Sequence, residues 1–394
     1  MTNITGVRDT LNILQDRRVI DMSKDIASLY PNEAPFVTLL KMIKKNSRVA
    51  VSPKFEWLED TLLGNQTAVN NGAGYDAAAT SIVVDDASIF RINDIAKVTP
   101  TGENILVTAV DTDTNTLTVS RGFGSTAAAD ITNDDEVLIL GNASTEGSSD
   151  RGAKSTQETN AYNYTQIFRT PISLTNTENA SELYGGNDRK MQILKASIEH
   201  KRDIANAIYF GQRKQVTDAT TGRPRRTMGG ILEFMAAGSD TCAFDASSNK
   251  MTYNNFNKGV AQKLFAHGSN KKLLIAGPKL INAINSWAEK KIVTDVATDT
   301  TYGVRVKNLV TSYGDLTVLY DPLLSGATYS AYGFALDMEN IRYAFLRGRD
   351  TKLYTDIQSN DVDGIVDEYL TECSIEFKQP KTHILITGAY DLAE

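Results

Sequence analysis

Arg223-Pro224-Arg225-Arg226 is the densest positive charge in the chain. Guanidinium forks at this spacing can grip the phosphates of a nucleic acid or the carboxylates of a neighbouring subunit, and on an exposed loop they can also do neither. The aromatic interleaving used by single-strand binders is missing there. Gly122-Phe-Gly124-Ser-Thr-Ala127, after the strand-like Thr116 to Ser120, imitates a dinucleotide fingerprint, in which glycines let backbone N–H groups approach a pyrophosphate at a helix start. No long amphipathic helix follows it and no βαβ unit surrounds it, so the expectation is a plain turn. Asp111, Asp113 and Asn115 open like a calcium loop, but Thr116 stands where the turn glycine belongs and Gly122 where the bidentate acid belongs. Asp361, Asp363, Asp367 and Glu368 crowd together without complete loop spacing and read as a solvated loop.

The chain has three histidines and two cysteines. His200 lies in a helical stretch beside Glu199 and Lys201 with no second histidine at helical spacing, and reads as a helix-surface residue. His267 precedes Gly268 at a helix end, and His383 opens a strand. Nothing like G-x-S-x-G or G-x-x-x-x-G-K-[ST] occurs, and Gly277-Pro278-Lys279 lacks the spacing of a phosphate cradle. Cys242 and Cys373 read as ordinary reduced thiols, since neither sits in a C-x-x-C pair. The expectation is no enzyme, no cofactor and no metal.

The elements that must position these residues follow from composition and pattern. A chain of 394 residues, 41% hydrophobic and 23% charged, builds a globular α+β core as two or three domains, or as one domain with a large insertion. The balance of 41 Lys and Arg against 48 Asp and Glu gives a charge of -7, wrong for a protein that coats nucleic acid, so any such contact is local. No signal peptide and no bilayer-length apolar run is present, which places the chain in the cytoplasm of the cell that makes it.

Met1 to Tyr30 reads as an arm that packs on a neighbouring subunit or docks locally. Pro35 starts a short helix carrying Phe36, Leu39, Leu40 and Ile43 on one face, with Lys44 and Lys45 at its end. Thr61 to Asp76 is rich in Gly, Asn, Ala and Thr and reads as an extended, poorly packed excursion. Ser81 to Leu140 holds short strands rich in Val, Ile, Thr and Leu between Asp, Asn and Gly turns, which predicts a small, acidic, all-β module. A long amphipathic helix is predicted from Asn187 to Gln212, with Met191, Leu194, Ile198, Ala205 and Ile208 on its apolar face. The last third alternates: a helix over Asn254 to His267, a buried strand Lys271 to Ala276, a helix Pro278 to Lys290, and two strands around Tyr313-Gly314-Asp315. Tyr329 to Leu336 and Ile341 to Leu346 read as strands, and Glu368 to Phe377 with Thr382 to Thr387 as a β pair.

The order of several motifs resembles the tailed-bacteriophage major capsid proteins with the Hong Kong 97 type fold. They are Asp21-Met-Ser-Lys-Asp-Ile26, Tyr30-Pro31-Asn32-Glu33-Ala34-Pro35-Phe36, Glu56-Trp57-Leu58-Glu59-Asp60 and Tyr164-Thr-Gln166-Ile167-Phe168 with Ile172-Ser173-Leu174-Thr175. Lys201-Arg202-Asp203-Ile204, Arg226-Thr-Met-Gly-Gly230-Ile231 and Gly303-Val304 through Tyr313-Gly314-Asp315-Leu316 complete the order. The resemblance implies an N-terminal arm and first helix over 1–50, an extended loop over 51–75 and 150–170, and an all-β insertion domain over 76–149. It further implies a peripheral domain over 171–253 with a spine helix at about 187–212, an axial domain over 254–336, and a return to the peripheral domain over 337–394.

The function so implied is self-assembly into hexamers and pentamers of an icosahedral head around double-stranded DNA, which the protein touches weakly and locally. Portal, decoration and separate scaffold proteins are the implied partners, a membrane is not, and the virion is the destination. Arg223, Arg225, Arg226, Glu56, Trp57, Glu59 and Asp60 are the candidate inter-subunit or DNA-facing contacts. The other readings are a tail or adhesion component, recognised by fibres or trimers, and a nucleotide-dependent enzyme using Gly122 to Ala127, recognised by binding that is lost on replacing Gly124.

Overall fold

The computed structural model describes residues 35–42, 47–147, 153–181, 187–243, 251–291, 300–301, 304–305 and 307–388. The expectations for the arm, for Ile43 to Lys45 and for Gly303 lie outside these residues. The chain divides into two compact units, Met1–Trp57 with Ala161–Glu394, and Leu58–Asn160.

The larger unit contains two sheets. In the first, the strands run in the order Ser47–Ala50, Ile341–Leu346, Gly364–Phe377 and Gln166–Thr175, with Lys352–Tyr354 also pairing to the long strand Gly364–Phe377. That long strand is antiparallel to Gln166–Thr175 over its first part and to Ile341–Leu346 over its second, so one segment holds the sheet together. The long helix is Asp188–Phe210, started by the Asn187 side chain, which accepts the Lys190 N–H at 3.1 Å. It buries Ala196, His200, Ile204, Ala205, Ile208 and Tyr209. The predicted apolar stripe is correct at Ala205 and Ile208 and wrong at Leu194, which is exposed. Toward the helix N-terminus the buried positions are the small Ala196 and the polar His200, because the strands beneath offer the hydroxyls of Thr170 and Thr371. Where the helix ends, the Gly230 N–H donates to the Gly211 carbonyl at 2.8 Å, and a Cβ on Gly230 would sit 2.6 Å from the Gly211 nitrogen. Only glycine permits that approach. The helix Pro35–Met42 buries Phe36, Val37 and Leu40, with Phe36 stacked on Tyr209 at 5.5 Å.

The second sheet has the order Asp240–Ala243, Ile384–Thr387, Gly333–Leu336, Lys271–Ala276, Asp315–Tyr320 and Lys307–Val310. Lys271–Ala276 is buried from Lys272 onward, as its unbroken apolar run requires of a strand covered on both faces. The helix Pro278–Lys291 and the helical segment Tyr253–Leu264, interrupted by a π-turn at Asn257–Ala261, supply Leu280, Ala283, Trp287, Phe256, Val260 and Leu264 to its core. The Trp287 indole N–H donates to the Met251 carbonyl at 3.2 Å.

Three expectations are corrected here. Glu368 to Phe377 and Thr382 to Thr387 do not pair: Gln379 takes a left-handed conformation, a 3-10 turn at Pro380–Thr382 follows, and the chain crosses from the first sheet into the second. Tyr329–Ala331 is a 3-10 turn, and the strand begins only at Gly333. The second sheet also draws Asp240–Ala243 and Ile384–Thr387 from outside 254–336, so that span is not self-contained.

The smaller unit is all β. Its strands, in the order Gln66–Ala68, Glu136–Asn142, Asp94–Val98, Asn104–Asp111, Thr116–Ser120 and Ser81–Val83, enclose Ile82, Phe90, Ile105, Leu117, Ile131 and Val137. The Asn70 N–H bonds the Val83 carbonyl and the Asp85 N–H bonds the Ala68 carbonyl, both at 2.9 Å, which joins the two outer strands and closes the sheet into a barrel. Thr61 to Asp76 is therefore not a loose excursion throughout, since it supplies a barrel strand and the fully buried Val69. Inside, the Arg121 guanidinium holds Glu103 through two bonds of 2.8 Å and also donates to the carbonyls of Asp76, Ala79 and Ala129.

Candidate assembly surface

Lys54–Glu59 pairs with Thr159–Tyr164 as a two-stranded ribbon. Strand alternation turns Phe55 and Trp57 inward and Lys54, Glu56 and Leu58 outward. Trp57 lies 6.0 Å from both the Phe55 and the Phe234 rings. It is a core residue of its own chain rather than a contact to another, a correction that the alternation Phe-Glu-Trp-Leu could have signalled. Glu56 pairs with Lys54 at 2.5 Å on the surface, the Glu59 carbonyl accepts the Thr159 hydroxyl at 3.3 Å, and the Asp60 carboxylate accepts the Thr156 hydroxyl at 2.7 Å.

The arginine cluster forms one strand of a second ribbon, Lys214–Thr217 with Pro224–Thr227. Its turn is organised by Asp218, whose carboxyl is held below the usual range by the backbone and side chain of Thr221 and by Arg225. Arg225 meets Asp218 at 2.5 Å, and the Arg226 Nε donates to Gln215 at 3.1 Å. The Arg223 carbonyl accepts the Asp218 N–H at 2.9 Å, but its guanidinium has no ion-pair or hydrogen-bond partner among the described residues. The three arginines line a groove of about 440 Å³ together with Thr165, Ile167 and Glu372.

The acidic cluster near the C-terminal end is not a solvated loop at Asp367 and Glu368. Both belong to Gly364–Phe377, where four carboxylates are each held by an arginine from a different segment. Arg189 of the long helix holds Asp367 through bonds of 2.7 and 2.8 Å, Arg169 holds Glu368 at 2.5 and 2.8 Å, Arg349 holds Glu372 at 2.6 Å, and Arg48 holds Glu376 at 2.6 Å. The bonds from Arg189 draw the Asp367 carboxyl below its usual range. Burial pushes Glu376 the other way, but Arg48 and Lys378 outweigh it. No group of three metal-ligating side chains occurs among the described residues.

His200 is not on the helix surface. It is buried, with Thr170 at 2.8 Å on one ring nitrogen and Thr371 at 2.7 Å on the other, and burial lowers its pKa. His383 accepts the Asp337 N–H at 3.0 Å and faces the Lys378 carbonyl at 3.1 Å, with burial pushing it down to about 4. His200 thus joins two strands through their threonine hydroxyls, and His383 joins the backbone just after Gly333–Leu336 to that just after Gly364–Phe377. In the smaller unit, the backbone N–H groups of Gly122 and Ala129 are occupied by the Glu103 carboxylate at 2.9 and 3.1 Å, so the glycine loop already holds an anion of its own chain. Asp111 caps the turn to Thr114 rather than a cation loop.

The architecture, a long helix on a sheet with a second mixed sheet and a separate barrel, meets its counterpart in known sequences. A family model described as SU10 major capsid protein matches residues 3–390. The chain belongs to that family. The major capsid protein of Pseudomonas phage PaMx41 is 25% identical over 365 residues, covering 90% of this chain and 85% of that one. Among solved structures, the cyanophage A-1(L) capsid asymmetric unit is similar in fold, with a TM-score of 0.52 and 9% identity over 95% of this chain and 98% of that one. The capsid of an empty GTA particle gives a TM-score of 0.49 and 10% identity over 95% and 96%.

In this major capsid protein the charge is unevenly divided. Leu58–Asn160 carries sixteen acidic and five basic residues, whereas the rest of the chain carries 32 acidic and 36 basic. The net charge of -7 therefore resides in the smaller unit, and the body is mildly basic. Among the described residues, no helix is long and apolar enough to cross a membrane.

Proposed function

We propose that the protein self-assembles into hexamers and pentamers of an icosahedral phage head that encloses double-stranded DNA. The family match across residues 3–390 carries this reading. In it, Asp188–Phe210 is the spine helix of a peripheral domain, the sheet around Lys271–Ala276 is the axial domain, and the ribbon Lys54–Glu59 with Thr159–Tyr164 is the base of an extended loop. The barrel is an insertion into that loop. Its acidity suits the outer face of a shell, away from a polyanion, while the mildly basic body suits weak contact with packaged DNA. The role is structural rather than enzymatic, with synthesis in the host cytoplasm and residence in the virion. Portal, decoration and separate scaffold proteins would complete the particle.

Electron microscopy of the expressed full-length protein tests the proposal. Closed shells or hexameric capsomers are expected. A uniform monomer at high concentration refutes it, and fibres or trimers that never close would point to a tail or adhesion component.

A further inference from the structure

A chain of polar side chains links the helix Pro35–Met42, the long helix and the first sheet. The Lys41 ammonium donates to the Thr351 hydroxyl at 2.8 Å, and the Thr371 hydroxyl donates to the same oxygen at 2.9 Å. His200 Nε2 lies 2.7 Å from the Thr371 hydroxyl, and Nδ1 lies 2.8 Å from that of Thr170. The single Thr371 hydrogen is spent on Thr351, so Nε2 carries the imidazole proton and donates to Thr371, while Nδ1 accepts from Thr170. The hydrogens from Thr170 through His200 to Thr371 therefore all point toward Thr351, where the chain meets the Lys41 ammonium.

This order suits a neutral ring. A proton on Nδ1 would turn the Thr170 hydrogen out of its bond and put a second positive charge on a chain headed by Lys41, at a ring that is 1% exposed. The charges of the surrounding elements do little to offset it. Lys41 comes from the first helix, Lys201 and Asp203 from the helix of His200 itself, and Asp350, 3.9 Å from the Lys41 Nζ, from the turn after Ile341–Leu346. Tyr343 lies under Lys41 at 4.9 Å and donates to Asp350 at 3.2 Å. The strands beneath turn Phe168, Tyr369 and Cys373 to this face. Strand alternation sends Glu368 and Glu372 to the opposite face, where Arg169 and Arg349 hold them, and Asp367 is taken by Arg189. Burial first, and then the Lys41 charge, lower the His200 pKa and outweigh Asp203.

We propose that protonation of His200 and docking of the helix Pro35–Met42 are coupled: the docked Lys41 keeps the ring neutral, and a charged ring loosens the helix. The coupling is reciprocal, since a Lys41 charge that disfavours a charged His200 is disfavoured by it to the same extent. Of the two, Lys41 is the one that can leave. It rides on an 8-residue helix, whereas His200 is enclosed between a 23-residue helix and the sheet. The point where residues 1–34 join the body thereby becomes sensitive to mild acid. The device lies within one chain and does not depend on the capsid reading.

The test uses the full-length protein and two mass-spectrometric readouts, hydrogen exchange at the histidine C2 position and at the backbone of Pro35–Met42. In the wild type, backbone protection of Pro35–Met42, corrected for intrinsic rates, is expected to fall by up to about tenfold between pH 7.5 and 5. H200Q keeps a donor for Thr371 and an acceptor for Thr170 but takes up no proton, and is expected to lose this pH dependence. In K41M the His200 titration is expected to move up by about one pH unit, the same tenfold, with that of His383 unmoved. K41R, which retains the charge, is expected to leave it near its wild-type position. An unchanged His200 titration in K41M overturns the coupling, and this measurement stands even if H200Q fails to fold. A pH-dependent loss in H200Q equal to that of the wild type also overturns it and assigns the loss to general acid unfolding.

Discussion

Replacing Arg121 by Met would leave Glu103 ionised in the barrel interior. Both side chains are almost completely buried, and Glu103 also accepts the N–H groups of Gly122 and Ala129. Burial alone would raise the Glu103 pKa, but Arg121 and these two N–H groups hold it below the usual value. Removing one partner of such a pair costs about 3–5 kcal/mol, because the remaining charge loses its compensation. The three carbonyls that Arg121 serves, on Asp76, Ala79 and Ala129, lose a donor at the same time. Each 1.4 kcal/mol is tenfold, so hydrogen-exchange protection in peptides from Asn104 to Ser120 should fall by roughly two to three and a half orders of magnitude. Peptides from Gly364–Phe377, in the other unit, should keep theirs. The double variant R121M/E103Q, which removes the charge while retaining an acceptor, should recover part of the loss. Mass-spectrometric exchange on the full-length protein reads all of these together. Unchanged protection in R121M, or equal loss in both sets of peptides, would refute the reasoning.

Lys272 donates to the carbonyls of Leu264, His267 and Thr382, and burial lowers its pKa to about 8. The unfolded chain then binds the extra proton between about pH 8 and the ordinary lysine value, so this group makes stability rise with pH across that window. Urea midpoints followed by tryptophan fluorescence at pH 7 and 9.5 should show the rise in wild type and its loss in K272M. For His383 the folded pKa lies near 4, below the unfolded value, so stability should fall as the pH drops from about 6.5 toward 4. The same titration on H383Q should show a shallower fall; an identical slope would exclude His383 as its source. Joining Asp60 to Thr156 through a short Gly-Ser linker, at the point where their side chains already meet, should leave the larger unit folded, with its near-ultraviolet dichroism retained. Aggregation of that deletion protein would count against the barrel as an independent unit. A junction at Gly74 instead would strand the barrel segment Gln66–Ala68.

The strands between Ser81 and Leu140 were legible because each is a β-branched run closed by Asp, Asn or Gly, although only the pairings of Asn104–Asp111 with Asp94–Val98 and with Thr116–Ser120 are between neighbours in sequence. The long helix was legible from the Asn187 cap and from Ala205 and Ile208. The fate of His200 was not, since its partners Thr170 and Thr371 lie 30 and 171 residues away and no local pattern announces them. The same holds for Asp367, which looked solvated until Arg189, 178 residues earlier, was placed against it. Closure of the barrel rests on backbone bonds between Asn70 and Val83 and between Asp85 and Ala68, which carry no side-chain signature. For the candidate surface, the basic cluster could be read as a cluster, but its setting beside Ile167 needed the fold. The overall charge misled: -7 described the whole chain while concealing a basic body joined to an acidic barrel.

The place of Gly364–Phe377 in the middle of the first sheet has a consequence for timing. Its partners Gln166–Thr175 are made some two hundred residues earlier, and the second sheet still needs Ile384–Thr387. During synthesis the barrel can close as soon as Glu136–Asn142 emerges, whereas the body must wait until Ile384–Thr387 has left the ribosome. A nascent chain therefore exposes a finished barrel tethered to an unfinished body, and a subunit able to join a neighbour exists only after Ile384–Thr387 has been made.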